Sequence, residues 1–292
     1  MNMYIFITLS VIFCFSGQEM FANNLISATK EQYSIASSLQ AEESLLRAFN
    51  DMEFDVGQDR LLLFIHGRGK HPQKLFTNKL LSSLQNSYKV KVLAFHWSPS
   101  WDGPLGWEKP KRGAVASAEK LLFVLQALQK YQSKHQQLNV SLLTHSMGSL
   151  VLQSFIEKYP RTISSLFKNV VISASASPLK KHADWVNDLQ MQQQLYITIN
   201  NNDSILAVAG SSLFSARLGK KLRKFFGGYE TLSDNSIYID VSDLGVNHRY
   251  YIGSKNHLHN FYSLVLSGKS VDLNPHNGFE KQMDKPIYKV KN

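Results

Sequence analysis

The sequence predicts an α/β fold, with a mostly parallel central sheet and helices on both of its faces. Three observations carry this. Short runs rich in branched and aromatic residues recur along the chain, and the first three are almost continuously apolar, as strands buried on both faces are. Between them lie stretches with apolar residues three and four apart, the spacing of one helical face. Finally, Thr144-His145-Ser146-Met147-Gly148 stands where an apolar run gives way to a helical pattern.

The expected strands are Leu61 to His66, Val90 to Phe95, Val140 to Thr144, Val170 to Ala174, Tyr196 to Ile199 and Ile237 to Val241. Ala114, Ala118, Leu121, Leu122, Leu125 and Leu128 form the clearest core-facing helical stripe. Pro72 to Asn86 and Gly148 to Tyr159 read as two further crossover helices, the second stopped by Pro160. Residues 27–54 read as an amphipathic helix outside the sheet, and Phe261 to Leu266 as the start of a final helix. Leu213 to Phe226 reads as a helix with Phe214, Leu218, Leu222 and Phe226 on one face and Arg217, Lys220, Lys221, Arg223 and Lys224 around the others.

A chain of 292 residues, 43% hydrophobic and 18% charged, buries a substantial core without staples. The expected organisation is a signal peptide over residues 1–22, then a single domain over 23–292 with an N-terminal helical extension. Tyr4 to Phe15 is apolar but shorter than the roughly 20 residues a bilayer span needs, and it suits the central region of a secretory signal. Cleavage after Ala22 and export to periplasm, envelope or medium are expected. Cys14, the only cysteine, lies inside that run, which excludes cysteine catalysis and cysteine-ligated metal from the processed chain.

The formal net charge is +10, and loss of residues 1–22, which hold Glu19 and no Lys or Arg, would raise it by one. Such a surface favours anionic partners, an anionic membrane among them. No nucleic-acid module accompanies the charge.

The chemistry starts at Ser146. A serine on a sharp strand-to-helix turn projects its hydroxyl above the sheet, and small neighbours let the strained backbone pass close to the next strand. Thr144 replaces the first glycine of the G-x-S-x-G pattern and Gly148 keeps the second. In an open parallel sheet, functional groups gather beyond the carboxyl ends of strands. The first such loop, His66-Gly67-Arg68-Gly69-Lys70-His71-Pro72, would offer the Arg68 N–H as one oxyanion donor, with the Met147 N–H as the other.

Downstream, Asp203 fits the acid position after Leu195 to Ile199 and an Asn-rich turn, with helix capping as its alternative role. Asp243 is the second candidate acid. His259 is the preferred base, because it precedes the apolar start of the final helix, and His257 is its rival. His145 reads as a packing residue of the elbow, and His248 has no positional case. No carboxylate or third histidine completes a metal set with His257 and His259, so no metal is expected.

From Leu61 to Leu266 the pattern resembles a largely uncharacterised family of bacterial serine hydrolases within the α/β-hydrolase superfamily. Phe64-Ile65-His66-Gly67 matches its apolar strand ending in His-Gly, and Phe95-His96-Trp97-Ser98-Pro99-Ser100 its Trp-Pro-Ser-like element. Thr144 to Gly148 matches its Ala-His-Ser-Met-Gly, and Asp203 with Arg217-Leu218-Gly219 its acid followed by Arg-x-Gly. His259-Asn260-Phe261-Tyr262 matches its histidine followed by an aromatic pair.

The resemblance implies an α/β-hydrolase fold and a Ser146-Asp203-His259 hydrolase that needs no metal or organic cofactor. The expected substrate is a small-molecule or lipid carboxylic ester. A thioesterase or amidase would use the same groups, and a catalytically silent envelope-binding protein would keep the fold alone. Trp97, Trp101 and Trp107, among Pro99, Pro104 and Pro110, read either as pocket lining or as anchors of their own loop.

Overall fold

Each apolar run becomes a strand close to its expected place. In the computed structural model, which describes residues 25–27, 31–68, 77–98, 108–209, 216–223, 228–253, 256–282 and 285–291, the backbone forms a ten-stranded sheet. The central strands are β3 (Leu61–Ile65), β4 (Lys91–His96), β5 (Val140–His145), β6 (Phe167–Ser173), β7 (Gln192–Ile199) and β8 (Ile237–Asp240). With β10 (Ile287–Val290) they run parallel, in the order β4-β3-β5-β6-β7-β8-β10. The shorter β1 (Leu25–Ser27), β2 (Gln32–Ser34) and β9 (Phe279–Lys281) add antiparallel edges, giving β2-β1-β4 on one side and β10-β9 on the other.

Every residue of β3 and of β5 is buried, which is why their sequences do not alternate. Burying a large apolar side chain contributes about 1.5–3 kcal/mol, so these central strands anchor the platform on which the site stands. Helices α2 (Thr77–Tyr88), α3 (Glu108–Lys134), α4 (Gly148–Lys158), α5 (His182–Asn187), α6 (Ser204–Ala209) and α7 (Asn256–Leu266) make the connections. The buried stripe of α3 runs through Ala114, Ala118, Leu121, Leu125 and Leu128, and α4 buries Leu150, Val151, Leu152, Phe155 and Ile156.

Three expectations change. Residues 27–54 are not one helix: β2 precedes α1 (Ser38–Asp51), which packs on α3. The helix starts late because Ser37 caps it, its hydroxyl accepting from Gln40 N–H, while the Gln40 side chain accepts from Ala36 N–H, close to a capping box. The chain does not end its sheet at β8, since β9 and β10 follow α7. Within Leu213 to Phe226, the described residues 216–223 form turns and isolated bridges to Pro178 and Tyr229 instead of a helix. Leu218, Leu222 and Arg217 are buried there, so part of the expected apolar face packs into the core.

Residues 1–24, Gly69 to Pro72, Pro99, Trp101, Pro104, Trp107, Leu213, Phe214, Lys224 and Phe226 lie outside the described residues. Among the described residues, no helix is long and apolar enough to cross a membrane.

Candidate active site

Ser146 sits between β5 and α4 with φ 52°, in the left-handed region that costs a non-glycine residue about 1–3 kcal/mol. Its peptide groups are tied down on both sides. The Ser146 N–H donates to Ser173 O at 3.0 Å, and its carbonyl accepts from Ser149 N (3.2 Å), Ser149 Oγ (2.7 Å) and Ala176 N (3.1 Å). At about 0.5–1.5 kcal/mol net per bond, these contacts are enough to hold the strained turn. Ser175 and Ser177 donate their hydroxyls to Ser149 Oγ, closing a buried knot beneath the elbow.

Glycines let neighbouring backbone reach the turn. A Cβ on Gly148 would lie 2.4 Å from Ile65 O, so only glycine allows α4 to start against the end of β3. A Cβ on Gly67 would lie 2.9 Å from Ser146 Cβ, which sets the loop carrying Arg68 directly beside the serine. Met147, buried, holds the N-cap position of α4, where the helix dipole favours negative charge. Thr144 fits at the elbow in full burial, with no hydrogen-bond partner for its hydroxyl.

Asp203 follows β7, and its side chain is fully buried. Its Oδ1 accepts from Leu206 N–H at 2.9 Å, capping α6, and its Oδ2 lies 2.6 Å from His248 Nδ1. The capping role considered for this residue is therefore filled by one oxygen, and the other oxygen meets a histidine. The Asn-rich turn is what fixes it: Asn201 N–H donates to Ser242 Oγ, Asn202 Nδ2 to Ser242 O, and Asn200 N–H to Gly219 O. Gly219 passes so close to the loop after β6 that a Cβ would lie 2.1 Å from Ser175 N.

The histidine brought to Asp203 is thus His248, and not His259 or His257. Both of the latter lie within α7 rather than in a loop. His259 stacks on Tyr88 with ring centroids 5.4 Å apart, and the ring of His257 lies under Gly278, where an added Cβ would come within 2.2 Å of it. Asp243, the second candidate acid, is exposed and pairs with Lys289 at 2.5 Å. The signal for His248 was present: His248-Arg249-Tyr250-Tyr251 is also a histidine followed, one residue on, by an aromatic pair, and it follows β8.

His248 lies in an irregular segment that side chains fasten. Asn200 Nδ2 donates to Val246 O, Tyr88 Oη to Tyr251 O, and Tyr250 Oη accepts from Ala174 N–H. His145, buried, has its Nε2 3.1 Å from His248 O and its ring centroid 4.7 Å from that of His248.

His66 and His96 form a second buried pair, with ring centroids 5.4 Å apart. Trp97 stacks on His66 and donates Nε1–H to its carbonyl, so this tryptophan anchors its loop. Burial pushes His66 down to about 4 and His96 down to about 3. Above pH 6.5 neither contributes a pH dependence. Below it the unfolded chain binds protons that the folded chain refuses, so stability falls until pH drops through about 4 for His66 and about 3 for His96. At pH 5 the loss should be on the order of 2 kcal/mol per histidine. Thermal midpoints measured from pH 8 to 5 should fall by several degrees, and His96→Gln should flatten the decline.

A strained serine between a parallel strand and the helix after it, on a doubly covered sheet, defines an α/β-hydrolase fold. A family model described as an alpha/beta hydrolase of unknown function (DUF900) matches residues 41–221, and the chain belongs to that family. Among curated proteins, none matches.

Several solved structures are similar at low identity. A predicted CIB-like hydrolase from Thermoplasma acidophilum is 14% identical with a TM-score of 0.42, over 73% of this chain and 88% of the other. A cold-adapted esterase from an Arctic intertidal metagenomic library is 12% identical with a TM-score of 0.44, over 73% and 83%. An alpha-beta serine hydrolase homologue from Coxiella burnetii is 12% identical with a TM-score of 0.38, over 85% and 91%.

Proposed function

We propose that the chain is a serine hydrolase that cleaves carboxylic esters, lipid esters among them, through an acyl-enzyme on Ser146. The base is His248, in place of His259 or His257, and the acid is Asp203. The observation that carries this reading is the 2.6 Å contact between His248 Nδ1 and the buried Asp203 Oδ2, on a histidine whose ring packs on the residue next to Ser146.

The carboxylate accepts a hydrogen bond from Nδ1–H, which keeps the proton on Nδ1 and leaves Nε2 as a bare acceptor. Ser146 Oγ attacks the ester carbonyl as Nε2 takes its proton, and the imidazolium returns that proton to the departing alcohol. Asp203 stabilises the charged ring between the two transfers. The Met147 and Arg68 N–H groups bind the oxyanion, each such donor being worth about 3–4 kcal/mol in the transition state. Water, activated by the same imidazole, then releases the acid.

Fluorophosphonate treatment tests this reading. The native chain should gain one phosphonyl group, mapped by peptide mass to Ser146, and should hydrolyse nitrophenyl esters. A chain that hydrolyses no ester and carries no adduct at Ser146 would instead be a silent binding protein. Comparing matched ester, thioester and amide substrates would fix the bond class.

A further inference from the structure

His145 is bonded covalently to Ser146 on one side and hydrogen-bonded to the proposed base on the other. A carbonyl can only accept, so the contact to His248 O at 3.1 Å places a proton on His145 Nε2 and leaves Nδ1 bare. Nδ1 abuts the Gly67 methylene, where an added Cβ would lie 2.9 Å away. The ring is wedged between His248 and Tyr251, with centroids 4.7 Å from each. Of the hydrogen bonds described above that fasten residues 246–251, this one alone reaches the backbone of His248 itself.

We propose that His145 is a positioning residue for the base: its Nε2–H, donated to the His248 carbonyl, locks the base segment to the elbow that carries Ser146. Nucleophile and base would then share one rigid reference. Geometry at this level matters, because a reacting pair displaced by about 1 Å can lose 10²-fold in rate. This inference rests on His248 being the base.

Among the described residues, the groups that act on the ring are His248, Arg249, His66, Tyr251 and Gly67. Burial, with His248 and Arg249 adding to it, holds His145 well below the usual imidazole range. The lock therefore stays neutral while His248 cycles through its charged form.

Two measurements test this. The second-order rate of fluorophosphonate labelling should fall about ten-fold in His145→Phe, which keeps a ring but has no donor, and should recover most of that in His145→Gln, which returns an amide donor. Rescue by Gln separates positioning from packing. Labelling of His145→Phe at the native rate, or His145→Gln no faster than His145→Phe, would overturn the proposal. Independently, ¹⁵N imidazole spectra of the native chain should show His145 as the Nε2–H tautomer, unchanged from pH 8 to 5. An Nδ1–H tautomer, or titration near 6.5, would overturn it even if both variants fail to fold. If the native chain takes no label while the tautomer is as expected, it is the hydrolase reading that fails.

Discussion

His248→Ala should lower kcat for a nitrophenyl ester by about 10⁵–10⁶-fold, the scale seen when the base of a serine triad is removed, and should all but end fluorophosphonate labelling. His259→Phe should keep activity within a few-fold. The contrast follows from what each ring touches. His248 Nδ1 meets a carboxylate with no exposed surface, a pairing that would leave a buried charge uncompensated if the ring were absent. His259 only stacks on Tyr88, whose hydroxyl bonds Tyr251 O, and Phe preserves that stack. Its route to the site is indirect, through Tyr88 and the end of the base segment. Steady-state rates of the two variants decide between them: a large loss in His259→Phe with His248→Ala near native would return the base to α7.

The reason His248 was passed over, although its aromatic pair is there to read, lies in the sheet's far edge. With Ile237 to Val241 as the expected last strand, the next strongly apolar segment is the helix that carries His257 and His259. β9 and β10 are short, of three and four residues, with two of the three exposed in β9 and two of the four half-buried in β10, so they carry neither a continuous apolar run nor a long alternation. Without them α7 looked like the chain's final element and its histidines like the terminal loop. His248 itself sits between Gly245, with φ 62°, and a run of turns, where no periodicity marks its place. Its position is set by hydrogen bonds from Asn200, His145 and Tyr88, contacts between residues remote in sequence.

What was legible is what local physics determines. The fully buried strands declare themselves by unbroken apolar runs, and Ser146 by the change of period on either side of it. Asp203 was singled out because it follows a strand whose last five residues are buried and precedes a helix. The start of α1 was missed, because the helical spacing of the residues before it masks the cap that Ser37 and Gln40, three residues apart, provide.

Asp203 offers the other large effect, because its two oxygens do separable work. In Asp203→Asn the Oδ1 acceptor for Leu206 N–H can remain, so α6 stays capped and the thermal midpoint should move little. The amide now placed against His248 is a donor, so Nδ1 must become the acceptor and the ring proton must move to Nε2. That nitrogen can no longer take the serine proton, and kcat should fall about 10⁴-fold. Asp203→Ala loses the cap as well as the orienting contact, which should cost about 1 kcal/mol of further stability with a similar loss of rate. Thermal melts and ester hydrolysis on the same samples would separate the two functions. If Asp203→Asn hydrolyses esters within ten-fold of the native chain, the carboxylate is only a helix cap, and the acid must be sought elsewhere. Asp243 would be poorly placed to serve, since its carboxylate is 62% exposed and taken by Lys289.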